Sequence, residues 1–126
     1  MIRRRPAVPT AVAVVTALGL ATCGADAGTP LSAEAEAGRE VADASGCSAC
    51  HSADGSARPG PTWSGLAGSS VELADGSTVV ADAGYLRQSI TDPGSQQVAG
   101  FTIVMPPSNL DPSQVDAVVA YIEELS

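Results

Sequence analysis

A chain of 126 residues provides for one domain and is too short for two of ordinary size. With one Phe, one Trp and two Tyr its core is short of bulk, so a domain of this size needs mass from elsewhere: a cofactor, a metal or a crosslink. The formal net charge is −8, there is no Lys, and beyond residue 22 only Arg39, Arg58 and Arg87 offset all 14 acidic residues. Such a surface repels phosphates, which excludes nucleic acid as a partner and broad electrostatic adhesion to an anionic membrane.

Residues 1–23 read as an export leader. Arg3, Arg4 and Arg5 give a positive start, and Ala11–Leu20 is an apolar core too short for a spanning helix. The leader closes on Leu20-Ala21-Thr22-Cys23, which resembles the lipobox of bacterial lipoproteins, with Thr22 standing where that family has Gly, Ala or Ser. The resemblance implies that Cys23 becomes lipid-modified; the alternative is an uncleaved leader with an incidental Cys. Either route leaves the chain exported, on the outer face of the bacterial cytoplasmic membrane.

Residues 24–31 read as a short flexible tether, and 32–126 as the folded domain. Ser32 is the expected N-cap of a helix over Ala33–Ala44, with Glu34 and Glu36 in its first turn. Dense Gly and Pro keep Cys47–Ser70 in loop. Val71–Ala81 reads as a hairpin turning at Asp75-Gly76, with Val71, Leu73, Thr78 and Val80 expected on one face. Two strands this short must lean on something else. Asp82 caps a second helix from Ala83 to Thr91, with Leu86 and Ile90 inward and Pro93 ending it. The last helix carries the clearest signals: Asp111 as N-cap, Pro112 at the first position and Gln114 as capping-box partner. Val115, Val118, Val119, Ile122 and Leu125 then fall on one stripe.

Cys47-Ser48-Ala49-Cys50-His51 is the C-x-x-C-H pattern of c-type haem attachment. Two thiols three residues apart reach the two vinyl groups on one side of a porphyrin, and the adjacent His meets the iron. Three rivals stand beside this reading. A zinc site needs four ligands and finds no second pair here; a thioredoxin-type dithiol belongs at a strand-to-helix turn of an α/β pattern; a plain disulfide between Cys47 and Cys50 suits an exported chain. For the second axial position composition does the sorting. There is no second His and no Lys, and the only Met beyond the initiator is Met105, in the loop Met105-Pro106-Pro107. Without a haem, a core Met filling a gap would serve as well. His51 and Met105 as axial ligands would raise the reduction potential and close the iron to oxygen and peroxide.

Over roughly residues 33–125 these features resemble a class I (mono-haem) cytochrome c. The resemblance implies a mainly α fold, three to four helices wrapped around one covalent haem c, with the β-hairpin as an insert. Gly60-Pro61-Thr62-Trp63-Ser64-Gly65-Leu66 is similar to the family's loop after the haem motif, so Pro61 is implied to accept a hydrogen bond from His51 and Trp63 to pack on the haem. Tyr85–Pro93 resembles the family's middle helix. Ala120-Tyr121-Ile122 and Gly38 match the positions where the last helix crosses the first. One departure is Ala42, which stands where the first helix normally offers an aromatic; the interface is thinner there, or the hairpin compensates. Within the family, the chain is most similar to the cytochrome c domain fused to subunit II of bacterial terminal oxidases. It lacks that subunit's copper ligands and two-helix anchor.

The function this implies is a membrane-tethered one-electron carrier with redox proteins as its partners. Those are a quinol-oxidising complex, a terminal oxidase or a dehydrogenase, with electrons passing from the quinol-oxidising complex to an oxidase or other terminal acceptor and with no small-molecule substrate. The competing readings are a haem-based sensor or peroxidase-like enzyme in which Met105 is labile, and a fixed accessory subunit of an oxidase or dehydrogenase complex.

Overall fold

The structure is a computed structural model that describes residues 29–126. The leader with Cys23, and the tether up to residue 28, lie outside the described residues.

Helix α1 spans Ala33–Ala44, and the Ser32 side chain accepts from the Ala35 amide at its start. Ser45 closes it, and Gly46, at φ 78°, turns the chain out of the helix. A 3-10 turn over Cys47–Ala49 follows, then loop as far as strand β1, Ser70–Glu72. Strand β2 is Thr78–Val80, α2 is Ala83–Thr91 and α3 is Pro112–Glu124. The Asp82 cap of α2 and the Asp111–Gln114 capping box of α3 stand as the sequence predicts, because a cap is chemistry between residues two or three apart.

Helices α1 and α3 form the frame. Gly38 lies where they cross, so close that a Cβ on it would sit 1.9 Å from the Ala117 carbonyl oxygen and 3.0 Å from the Tyr121 Cβ. Only a glycine permits that approach. The start of α1 also meets the end of α3, with the Ser32 amide donating to a Glu124 carboxylate oxygen at 2.8 Å. Val115, Val118, Val119, Tyr121 and Ile122 of α3 are buried, as are Ala35 and Ala42 of α1.

The hairpin departs from expectation by one residue. Val71 pairs with Val79 and Glu72 with Thr78, so Val71, Leu73 and Val79 turn inward while Thr78 and Val80 face solvent, Val80 being 57% exposed. The cause is loop length. Asp75-Gly76 is not a two-residue turn; Ala74-Asp75-Gly76 forms a three-residue loop, with the Gly76 amide donating to the Leu73 carbonyl at 2.9 Å and Gly76 at φ 84°. That left-handed glycine adds one residue to the second strand's side, and a one-residue slip turns every side chain over. The hairpin leans on the loop after α2: Leu73 bridges Val98, and the Ala99 amide donates to the Glu72 carbonyl at 2.9 Å.

Candidate haem-binding site

The Cys47–His51 segment is a tight turn in which the Cys50 and His51 amides both donate to the Cys47 carbonyl, at 3.1 and 3.0 Å. Two thiols and an imidazole therefore leave the backbone within one turn. The returning chain is laced to it. The Gly60 amide donates to the Cys50 carbonyl and the Trp63 amide to the Ser52 carbonyl, each at 2.8 Å. The Thr62 hydroxyl donates to the Ser52 carbonyl at 3.0 Å, and the buried Ser52 hydroxyl donates to the Ser56 carbonyl at 2.6 Å.

This lacing brings the Pro61 carbonyl 2.7 Å from His51 Nδ1. A carbonyl only accepts, so Nδ1 carries the proton and Nε2 is left with a free lone pair. The imidazole is held on other sides too. Its ring stacks on Trp63 with centroids 5.1 Å apart and planes 10° apart, and a Cβ on Gly60 would lie 2.9 Å from His51 Cε1. Trp63 lines the cleft, and besides stacking on His51 it meets Tyr121 edge-on at 5.9 Å and 80°.

Cys47, His51 and Met105 line both halves of one cleft, an inner half of about 380 Å³ and an outer half of about 450 Å³. Each volume lies in the range of roughly 300–1,000 Å³ usual for small-molecule and cofactor sites. Cys50 joins the outer half beside Met105, Pro106 and Pro107. Trp63, Leu86, Ile90 and Ile122 give the inner half apolar walls from the loop, α2 and α3. The Met105 loop is fastened to α2 where the Ser108 hydroxyl donates to the Ile90 carbonyl at 3.1 Å.

The residues present fit a haem. The donor set is two thiols, an imidazole with its outer nitrogen bare, and a thioether, all on one apolar cleft. The Ser89 hydroxyl and the Gln96 side-chain carbonyl on the inner wall are buried without a partner among the described residues, as expected where a bound group completes the polar contacts. Ser89 lies near the Tyr85 hydroxyl but outside hydrogen-bond geometry. Burial pushes the Tyr85 phenol and the Cys47 thiol up from their ordinary values, and Cys47 and Cys50 are both free.

Neither Arg58 nor Arg87 lines the cleft; Arg87 lies on α2's outer side, its guanidinium 2.7 Å from Asp116. No cationic distal group of a peroxidase type is therefore offered by them. Among the described residues no three His, Cys, Asp or Glu side chains gather as ligands for a metal ion. Sequence reasoning missed Gly60, Ser89 and Gln96. Gly60 had a local signal, standing just before the Pro that accepts from His51. Ser89 had only its place four residues after Tyr85 on α2, and Gln96 had none.

The sequence profile of the cytochrome c family matches residues 35–126. Among solved structures, cytochrome cH from Methylobacterium extorquens is similar, with a TM-score of 0.54 and 28% identity over 71% of this chain and 96% of that one. Comparison with curated protein sequences gives no match. A family match over most of the chain, on three helices, a two-stranded sheet and a cleft of this donor set, makes the chain a member of the cytochrome c family: a class I electron carrier with one covalently bound haem c.

Proposed function

We propose that this protein is a membrane-tethered one-electron carrier of a respiratory chain, its haem attached through Cys47 and Cys50 and its iron held between His51 and Met105. The observation that carries the reading is the meeting, in one cleft, of two thiols, a thioether and an imidazole whose Nδ1 proton is committed to Pro61. Haem c, when bound, supplies an iron that alternates between ferric and ferrous. The chain does the rest. Pro61 keeps the proton on Nδ1, which orients Nε2 and raises its basicity as a donor. Met105 offers a soft thioether that favours the ferrous state and so a higher potential. With His51 and Met105 both holding the iron, no position would be left free for oxygen or peroxide. Backbone hydrogen bonds fix the His51 turn, and Ser108 fastens the Met105 loop, so little need move when the charge changes.

The anchor is the leader, residues 1–23, through lipid on Cys23 or as an uncleaved segment, and residues 24–31 are the tether, on the outer face of the cytoplasmic membrane. Among the described residues no helix is long and apolar enough to cross a membrane. The donor is a quinol-oxidising complex and the acceptor a terminal oxidase or other terminal acceptor. An oxidase is favoured by the likeness of Gly60–Leu66, the hairpin, Tyr85–Pro93 and Val98-Ala99-Gly100 to the cytochrome c domain of oxidase subunit II. Electrons would cross at the edge formed by Cys47, Cys50 and the Met105 loop. Tethering keeps the local concentration high, so weak docking suffices.

A pyridine haemochrome spectrum of the protein matured in its own host tests the core of this. The expected result is haem with both vinyl groups saturated by thioethers. A colourless protein, with free thiols or a Cys47–Cys50 disulfide, overturns it.

A further inference from the structure

We infer that Trp63 is a positioning residue that sets the rotation of the His51 ring and ties it to the α1–α3 crossing. The inference rests on His51 as an iron ligand, as proposed above. One hydrogen bond, from Nδ1 to the Pro61 carbonyl at 2.7 Å, fixes one atom of the ring and leaves its plane free to rock. The backbone at Gly60 limits the Cε1 edge, where a Cβ would come within 2.9 Å. What holds the plane is the face of Trp63, 10° from parallel with ring centroids 5.1 Å apart.

Trp63 is itself held. It is 6% exposed and meets the Tyr121 ring edge-on at 5.9 Å and 80°. Tyr121 in turn stands at the crossing, its Cβ 3.0 Å from where a Cβ on Gly38 would lie. Helix α1 offers Tyr121 no aromatic partner, since Ala42 occupies its fully buried inner position. The ring that meets Tyr121 comes instead from the loop behind the haem motif. A single tryptophan thus replaces a missing interhelical contact with one face and supports the imidazole with another. The contact runs without a break from Gly38 and Ala117 through Tyr121 and Trp63 to His51.

The chemistry makes this readable. An imidazole donates in its own plane through Nε2, and its π system overlaps whichever metal d orbital lies perpendicular to that plane. Rotating the ring about the donor bond therefore redistributes unpaired spin over the porphyrin of a low-spin ferric haem, without changing which ligands are bound. The four ring-methyl resonances report that distribution, whereas a loss of packing that leaves the ring in place does not reorder them.

The experiment uses the ferric holoprotein in Trp63→Leu, Trp63→Phe and Tyr121→Leu variants, with ring-methyl shifts recorded beside the visible spectrum. Trp63→Leu is expected to reorder or compress the four shifts while the spectrum of the thioether-ligated iron persists; Trp63→Phe, which keeps a flat ring, is expected to restore most of the wild-type pattern. Tyr121→Leu, which touches no ligand, is expected to move the shifts in the direction of Trp63→Leu by a smaller amount. A wild-type pattern in a folded Trp63→Leu holoprotein overturns the positioning role. If Trp63→Leu does not accumulate, Tyr121→Leu decides: a moved pattern supports the relay, and an unmoved one overturns it. A wild-type holoprotein without an imidazole-ligated low-spin ferric signal would instead overturn the ligand assignment.

Discussion

Met105 and His51 reach the same cleft from unlike backbones. His51 leaves a hydrogen-bonded turn and has Pro61, Gly60 and Trp63 around its ring. Met105 sits in an irregular loop between two prolines and exposed Ile103 and Val104, fastened by the Ser108 bond to α2. The weaker hold belongs to the thioether, so the Met105 side is where the cleft opens first. Replacing Met105 with Ala should leave the haem covalently attached, free one axial position and lower the midpoint potential. A shift on the order of 100 mV is expected, against a span of about 0.8 V that axial ligands cover in haem proteins. A redox titration, with uptake of added imidazole followed by absorbance, checks this. An unchanged midpoint together with no imidazole uptake would take Met105 off the iron. Of the site, the residues that meet at the cleft were legible because their signals are local or compositional: a five-residue pattern, and one Met left after elimination. What Trp63 touches was not legible, since it depends on which of two distant helices lacks an aromatic.

At the scale of elements, the same division between local and distant holds. All three helix starts follow from caps two or three residues long, and the buried stripe of α3 from its periodicity. The hairpin's existence was legible from Asp75-Gly76, but its facing was not. The difference between a two- and a three-residue loop is invisible in the dipeptide, and docking of Leu73 on Val98 decides which face is buried. The α1–α3 crossing yields a sharp prediction. Gly38→Ala gains up to about 1 kcal/mol of helix propensity, yet its methyl would lie 1.9 Å from a backbone carbonyl oxygen and 2.4 Å from its carbon. No side chain can rotate out of the way, so the helices must separate. Overpacking of this kind costs roughly 1–3 kcal/mol or more, and the net change should lower Tm, at roughly 4–8 °C per kcal/mol for a domain of this size. Thermal unfolding of the holoprotein measures it. A Tm equal to or above that of the wild type would show that the crossing is looser than the glycine implies.

For the whole molecule, charge is distributed unevenly in a way that bears on the proposed tethering to a membrane. The segments 44–53, 59–71 and 93–110, which supply much of the cleft's lining, contain no Asp, Glu, Lys or Arg. The acids sit on the three helices, the hairpin and their connections. These uncharged stretches meet a partner without charge repulsion, with Glu72 on the lining and Asp43 beside Ser48 as the nearby acids, while the acidic body gives anionic lipid headgroups nothing to attract. The proposed membrane association would then come from covalent attachment or an apolar leader, neither of which salt weakens. High-salt washing of membranes should leave the wild-type protein in the pellet and detergent should release it. Cys23→Ser should move it to the soluble fraction, because each buried lipid methylene contributes about 0.8 kcal/mol and the variant carries none. A Cys23→Ser protein that stays in the pellet with the mass of an unprocessed chain would identify the leader as the anchor. Wild-type protein released by salt, or found soluble from the start, would refute tethering and leave a freely diffusing carrier, for which docking strength rather than local concentration limits the rate of transfer.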